Sequence, residues 1–106
     1  MIPYVISESY PDHKRPWVRQ EFGVIKEEDI LTFFVEQISE FVMEKTDITS
    51  CQDINVFFDT YYVECYMSNK PWEAYVFING VWRNIIPTNT QIWDHIQFLK
   101  LQNKRK

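Results

Sequence analysis

The stretch INVFFDTYYVECYM, residues 54–67, decides how this chain is read. It is dense in Val, Phe, Tyr and Thr, side chains that fit a pleated surface, and it reads as a strand. Its parity changes midway. Ile54, Val56 and Phe58 share one side, whereas the later apolar set is Tyr61, Val63, Cys65 and Met67. One regular strand cannot bury both sets together, so this reading requires a bulge near Asp59 and Thr60.

Working outward, residues 68–71 make a turn and residues 72–78 a further strand. Asn79-Gly80 then separates two apolar runs, and both residues tolerate the positive φ of a tight hairpin turn. Residues 81–86 return as the last strand of a three-stranded antiparallel meander, which Pro87 ends. Upstream, Ile30, Leu31, Phe34, Ile38, Phe41 and Val42 fall on one stripe at helical spacing, predicting an amphipathic helix over 27–45. Glu27, Glu28 and Asp29 in its first turn and Lys45 in its last complement the helix dipole. Downstream, Thr88, Asn89 and Thr90 offer N-caps for a closing helix over 91–102 with Ile92, Trp93, Ile96 and Leu99 on its apolar face.

The first quarter is punctuated by Pro3, Pro11 and Pro16. Residues 4–6 read as a short edge strand, 7–16 as a turn-rich connection, and 17–25 as a second, weakly alternating strand. Residues 103–106 read as a frayed basic tail. The expected architecture is a single α+β domain over 1–106, in the order β(β)-α-β-β-β-α. In it a small antiparallel meander, extended by strands within the Pro-punctuated region 1–25, packs with two helices.

Charge is sorted along the chain. Residues 21–59 carry ten carboxylates against Lys26 and Lys45, while the flanking regions are net basic and the whole chain is −4. Such a field attracts basic partners and argues against nucleic acid. Two short basic clusters, Lys14-Arg15 and Lys104-Arg105-Lys106, do not offset it, because non-specific affinity rests on many phosphate contacts. The α-β-β-β-α order from Glu27 onward resembles that of double-stranded-RNA-binding domains. The resemblance is of order alone: the lysine-rich start of the last helix is here Thr90-Gln91-Ile92-Trp93-Asp94-His95, and RNA binding is not implied.

Eight Phe, six Tyr and four Trp against two Gly argue for a rigid, ring-built core and against phosphate-cradling loops. No run approaches the roughly 18 apolar residues of a membrane span. Met1-Ile2-Pro3-Tyr4 has no leader character, so a cytoplasmic location and reduced Cys51 and Cys65 are expected, although their pairing stays open. His13 and His95 have no motif partners, and the chain implies no catalytic residue, no metal and no cofactor.

Two surfaces are candidate sites. On the first helix, Glu36, Glu40 and Glu44 form a ridge with Asp29, and Phe33 and Met43 lie in or beside it; exposed acid with embedded apolar groups suits a basic, partly apolar partner. On the hairpin, Tyr75, Phe77 and Trp82 share the face opposite Ala74, Val76 and Ile78, and such rings are enriched at interfaces. Whether the closing helix covers that second face through Trp93 is open.

The function expected is that of a small acidic, non-enzymatic protein-binding module that occupies a basic surface of a larger protein. An inhibitor, immunity or anti-defence protein of a phage or mobile element acts in this way. The alternatives are a module that sequesters a small molecule or nucleotide on the aromatic face with Arg83, and a homo-oligomeric structural component whose self-contact is that face.

Overall fold

The computed structural model describes the backbone of residues 1–10, 17–64 and 71–104, and their side chains other than those of 62–64 and 104. Two strands, β1 (Ile2–Tyr10) and β2 (Trp17–Ile25), precede a 3₁₀ turn (Glu27–Asp29) and helix α1 (Ile30–Lys45). Helix α2 (Cys51–Glu64), strands β3 (Trp72–Ile78) and β4 (Val81–Asn84), and helix α3 (Asn89–Lys104) follow. The four strands form one antiparallel sheet in the order β2-β1-β3-β4, so the fold is α+β, as the sequence predicts, with an N-terminal strand pair and a third helix.

The segment read as a bulged strand over 54–67 is instead α2, as far as it is described, and no bulge lies at Asp59. Two local causes outweigh its strand propensity. Ser50 and Asp53 form a capping box: the Asp53 N–H donates to Ser50 Oγ at 3.3 Å, and Asp53 Oδ2 accepts from the Ser50 N–H at 3.1 Å. The Thr49 N–H and hydroxyl also donate to that oxygen at 2.9 and 2.8 Å. These bonds hold the Asp53 carboxyl below the ordinary carboxylate pKa, the Thr49 N–H contributing most. The second cause is the spacing of Ile54, Phe57, Phe58 and Tyr61, which places buried and half-buried groups on one helical stripe. With α2 helical, the element order no longer matches that of the RNA-binding domains.

The short edge strand expected over 4–6 is a nine-residue strand in the interior of the sheet, paired with β2 on one side and β3 on the other. Pro3 is tolerated because it lies at the strand's start. The closing helix runs on through Asn103 to Lys104, where a frayed tail was expected. Its N-terminus carries a second capping box, with the Gln91 N–H on Thr88 Oγ1 at 3.1 Å and the Thr88 N–H on Gln91 Oε1 at 2.8 Å. The predicted hairpin turn is present: Asn79 has φ +52° and Gly80 φ +82°. Phe77 accordingly sits opposite Trp82, and Tyr75 opposite Asn84.

A single core joins one face of the sheet to all three helices. Tyr4, Ile6, Ile25, Trp72, Ala74 and Val76 from the strands meet Ile30, Phe34, Ile38, Phe41 and Val42 of α1, Ile54 and Tyr61 of α2, and Ile92 and Ile96 of α3. Phe34 lies at its centre, edge-on to Tyr4 and Trp72 with ring centroids 5.9 and 6.3 Å away. Tyr61 closes the far end by donating to the Ser9 carbonyl at 2.9 Å. Lys45 places its ammonium over the rings of Phe41 and Tyr10, at 4.1 and 4.8 Å, which ties the end of α1 to the β1–β2 tip.

Candidate protein-binding surfaces

Side chains alternate along a strand, so the register assigns every residue of the sheet to a face. The core takes the even positions of β1 and β3 and the odd positions of β2. The opposite face therefore carries Val18, Gln20, Phe22 and Val24 from β2, and Pro3, Val5, Ser7 and Ser9 from β1. It also carries Glu73, Tyr75 and Phe77 from β3, and Trp82 and Asn84 from β4. No described element lies over its outer strands. Phe22 is 69% exposed, Val24 58% and Trp82 51%. Trp93, the residue that offered a cover for this face, packs instead against the core on the helix side.

Two cross-strand rows build this bare face. Phe22, Val5, Tyr75 and Asn84 run across all four strands, and Val24 and Pro3 lie beside the Phe77–Trp82 pair, whose ring centroids are 5.1 Å apart. Five polar side chains on the face are paired among themselves or with the sheet. Tyr75 donates its hydroxyl to Glu73 Oε2 at 2.9 Å, which raises the Tyr75 pKa, with partial burial adding to it. Gln20 Nε2 donates to Ser7 Oγ at 3.3 Å, and Asn84 Nδ2 to the Ala74 carbonyl at 3.0 Å. Glu73 is the one ionisable carboxylate among the described residues of this face. The bare face is largely apolar, ring-rich and nearly uncharged, in a chain of net charge −4.

The helix side has the opposite character. Asp29, Glu40 and Glu44 are exposed on α1 and its leading turn, and Glu36 is half-buried. The i, i+4 spacing brings Glu36, Glu40 and Glu44 onto one row. The one ion pair among the described residues joins Lys100 to Asp47 at 3.8 Å, so none of these three carboxylates is neutralised by Arg19, Arg83 or Lys100. Phe33 and Met43 are not loose groups within the ridge. Both pack against the core, Phe33 with its ring 5.1 Å from that of Tyr4. Phe33 and Glu36 share a shallow groove with Met1, Val24 and Lys26, while Met43 and Glu44 lie near Lys100 at the other end of the helix.

The sequence reading found the hairpin part of the bare face, Tyr75, Phe77 and Trp82, and missed its β2 half. Val18, Phe22 and Val24 alternate with Arg19, Glu21 and Gly23, and that pattern carries the signal. Arg83 lies opposite Val76 and so belongs to the other face; it cannot close on a ligand together with Tyr75, Phe77 and Trp82.

A separate pocket of about 600 Å³ opens between α2 and the β4–α3 connection, walled by Ile38, Phe58, Trp72, Ile85 and Ile92, with Asp59 among its polar groups. Among the described residues no three His, Cys, Asp or Glu side chains are grouped to hold a metal ion, and no helix is long and apolar enough to cross a membrane. Cys51 is a half-buried free thiol, while Cys65, His13 and the Lys14-Arg15 cluster lie outside the described residues. No family model, no curated protein and no solved structure matches this chain.

Proposed function

We propose that this chain is a small acidic, non-enzymatic protein-binding module that docks through the bare face of its sheet onto a larger protein. The surface it fits is apolar at its centre and basic at its rim. The observation that carries this reading is the sidedness of the fold: three helices cover the centre of one face of the sheet, and the other exposes Phe22, Val24, Phe77 and Trp82 side by side. Contiguous exposed rings of this kind mark interaction surfaces in monomers. Net charge −4 and the ridge at Glu36, Glu40 and Glu44, which has no ion pair among the described residues, favour a cationic rim, because they speed the encounter and select the sign of the partner. A rigid platform loses little freedom on docking, which suits an occluding role of the inhibitor, immunity or anti-defence kind.

The test compares capture of one specific partner from the native host by three folded proteins: the wild-type chain, a Phe77→Ser/Trp82→Ser variant, and a Glu36→Lys/Glu40→Lys/Glu44→Lys variant. The first variant is expected to lose the partner. The second keeps it but associates more slowly and with a weaker salt dependence. Retention by the Phe77→Ser/Trp82→Ser protein rejects the bare face as the docking surface.

A second reading is favoured by the pocket beside α2, whose volume lies in the range of small-molecule sites. There the module sequesters a small, largely apolar molecule against Trp72. Quenching of Trp72 fluorescence across a ligand panel, absent in a Trp72→Phe variant, separates this reading from the first.

A further inference from the structure

The two edges of the sheet differ. β4 is a four-residue edge, whereas β2 is a nine-residue edge paired with β1 through nine consecutive positions without a bulge. Long, regular edges offer unpaired N–H and C=O groups to another chain, and proteins blunt them with proline, bulges, covering elements or charge. Between Trp17 and Ile25 there is no proline, and among the described residues nothing covers the strand, whose residues 17–22 are all exposed. The charges that remain to blunt it are Arg19 and Glu21, two of opposite sign placed symmetrically about Gln20.

That symmetry has a consequence. When a strand pairs antiparallel with a copy of itself about a two-fold axis at Gln20, Arg19 stands opposite Glu21 of the second copy, and Glu21 opposite its Arg19. Val18 then stands opposite Phe22 of the second copy, twice, and Gln20 opposite Gln20. Opposite charges and apolar pairs at directly facing positions are the favourable cross-strand combinations. A shift of the axis by one residue places Arg19 against Arg19, or Glu21 against Glu21, so charge selects the register. All these partners share a face within each copy, because Val18, Gln20 and Phe22 lie on the bare side, and Arg19 and Glu21 on the helix side.

We infer that a second copy of this chain pairs with β2 edge to edge, antiparallel about Gln20, merging two four-stranded sheets into one of eight strands. The helices of both copies lie on one side of the merged sheet, and the two bare faces join into one continuous apolar surface. The rings at Phe77 and Trp82 stay free, so the contact shares Phe22 with the docking face proposed above and leaves its hairpin half open.

The experiment is sedimentation velocity of the full chain and its charge variants up to about 100 µM, a concentration that detects weak self-association. The wild-type protein is expected to reach twice its 12.9 kDa chain mass. Arg19→Glu and Glu21→Arg each place like charges opposite one another and weaken the dimer at least about tenfold. The Arg19→Glu/Glu21→Arg double variant restores opposite pairs and the dimer. Arg19 also stands opposite Glu8 of its own chain, so the Arg19→Glu result counts only where circular dichroism matches wild type, and Glu21→Arg, which lies opposite the apolar Ile6, carries the test otherwise.

A Gln20→Cys variant gives a readout that needs no charge change. Residue 20 faces itself across the axis, so mild oxidation yields a disulfide-linked dimer, and a Val24→Cys control does not. A monomeric wild-type protein overturns the inference. So does a double variant that stays monomeric, or a dimer indifferent to Arg19 and Glu21 but lost in Phe77→Ser/Trp82→Ser. The last outcome assigns self-contact to the bare face and, unlike the others, also removes that face from the docking reading.

Discussion

The two faces of this sheet are built from similar residues and differ in what lies over them. On one side Tyr4, Ile6, Ala74 and Val76 are sealed by three helices; on the other, no described helix covers Val5, Phe22, Tyr75, Phe77 and Trp82. Composition alone does not separate them, since both are apolar and aromatic. The difference teaches that stability and recognition are assigned to opposite sides of one four-stranded layer, and substitutions on the two sides should part accordingly.

The largest effect is expected at the centre of the covered face. Phe34 is fully buried between Tyr4 and Trp72, so Phe34→Ala should cost about 3–5 kcal/mol in urea unfolding. Next comes Gly23, which lies under the Tyr4 ring: a Cβ there would stand 2.7 Å from Tyr4 ring atoms that Phe33 and Phe34 already hold in place. Gly23→Ala should destabilise by about 1–3 kcal/mol through overpacking, and the same measurement in a Tyr4→Leu background should show a smaller penalty.

At α2 the capping box is the weak link, and Ser50→Ala should lower stability by about 1 kcal/mol. Its partner Asp53 gives a pH signature. Because hydrogen bonds lower the folded-state pKa of Asp53, its contribution is present above the unfolded carboxylate pKa and is lost as pH falls through the folded value. The Tm difference between wild type and Asp53→Asn should therefore shrink on acidification below about pH 4. The smallest effect belongs to the bare face, where Phe22→Ser should change unfolding free energy by no more than about 0.5 kcal/mol. A large loss of stability there would erase the contrast between the faces.

How much was legible follows the range of each signal. The hairpin was read correctly because Asn79-Gly80 fixes register within four residues. α1 was read from its stripe, and α3 from the candidate caps Thr88, Asn89 and Thr90, of which Thr88 makes the cap together with Gln91. α2 carries the same kind of cap, Ser50–Asp53, and the same kind of stripe, Ile54–Phe57–Phe58–Tyr61. That stripe is crowded by Val56, which is exposed on the helix's far side, and by the β-prone Tyr62 and Val63. Strand propensity is a weak prior, and here the cap and the burial pattern override it. The parity break at Asp59 was the visible trace of a period of 3.6 read as a period of 2.

By itself the sequence determined the local pieces: the turn at Asn79-Gly80, the amphipathic face of α1, the closing helix and the concentration of acid over residues 21–59. Each depends on residues a few positions apart. Tertiary structure alone decided that β1 lies inside the sheet, that all three helices gather on one side, and that Phe22, Phe77 and Trp82 stand exposed on one face. Those outcomes depend on which distant elements compete to bury the same apolar surface, and no short-range pattern encodes the winner.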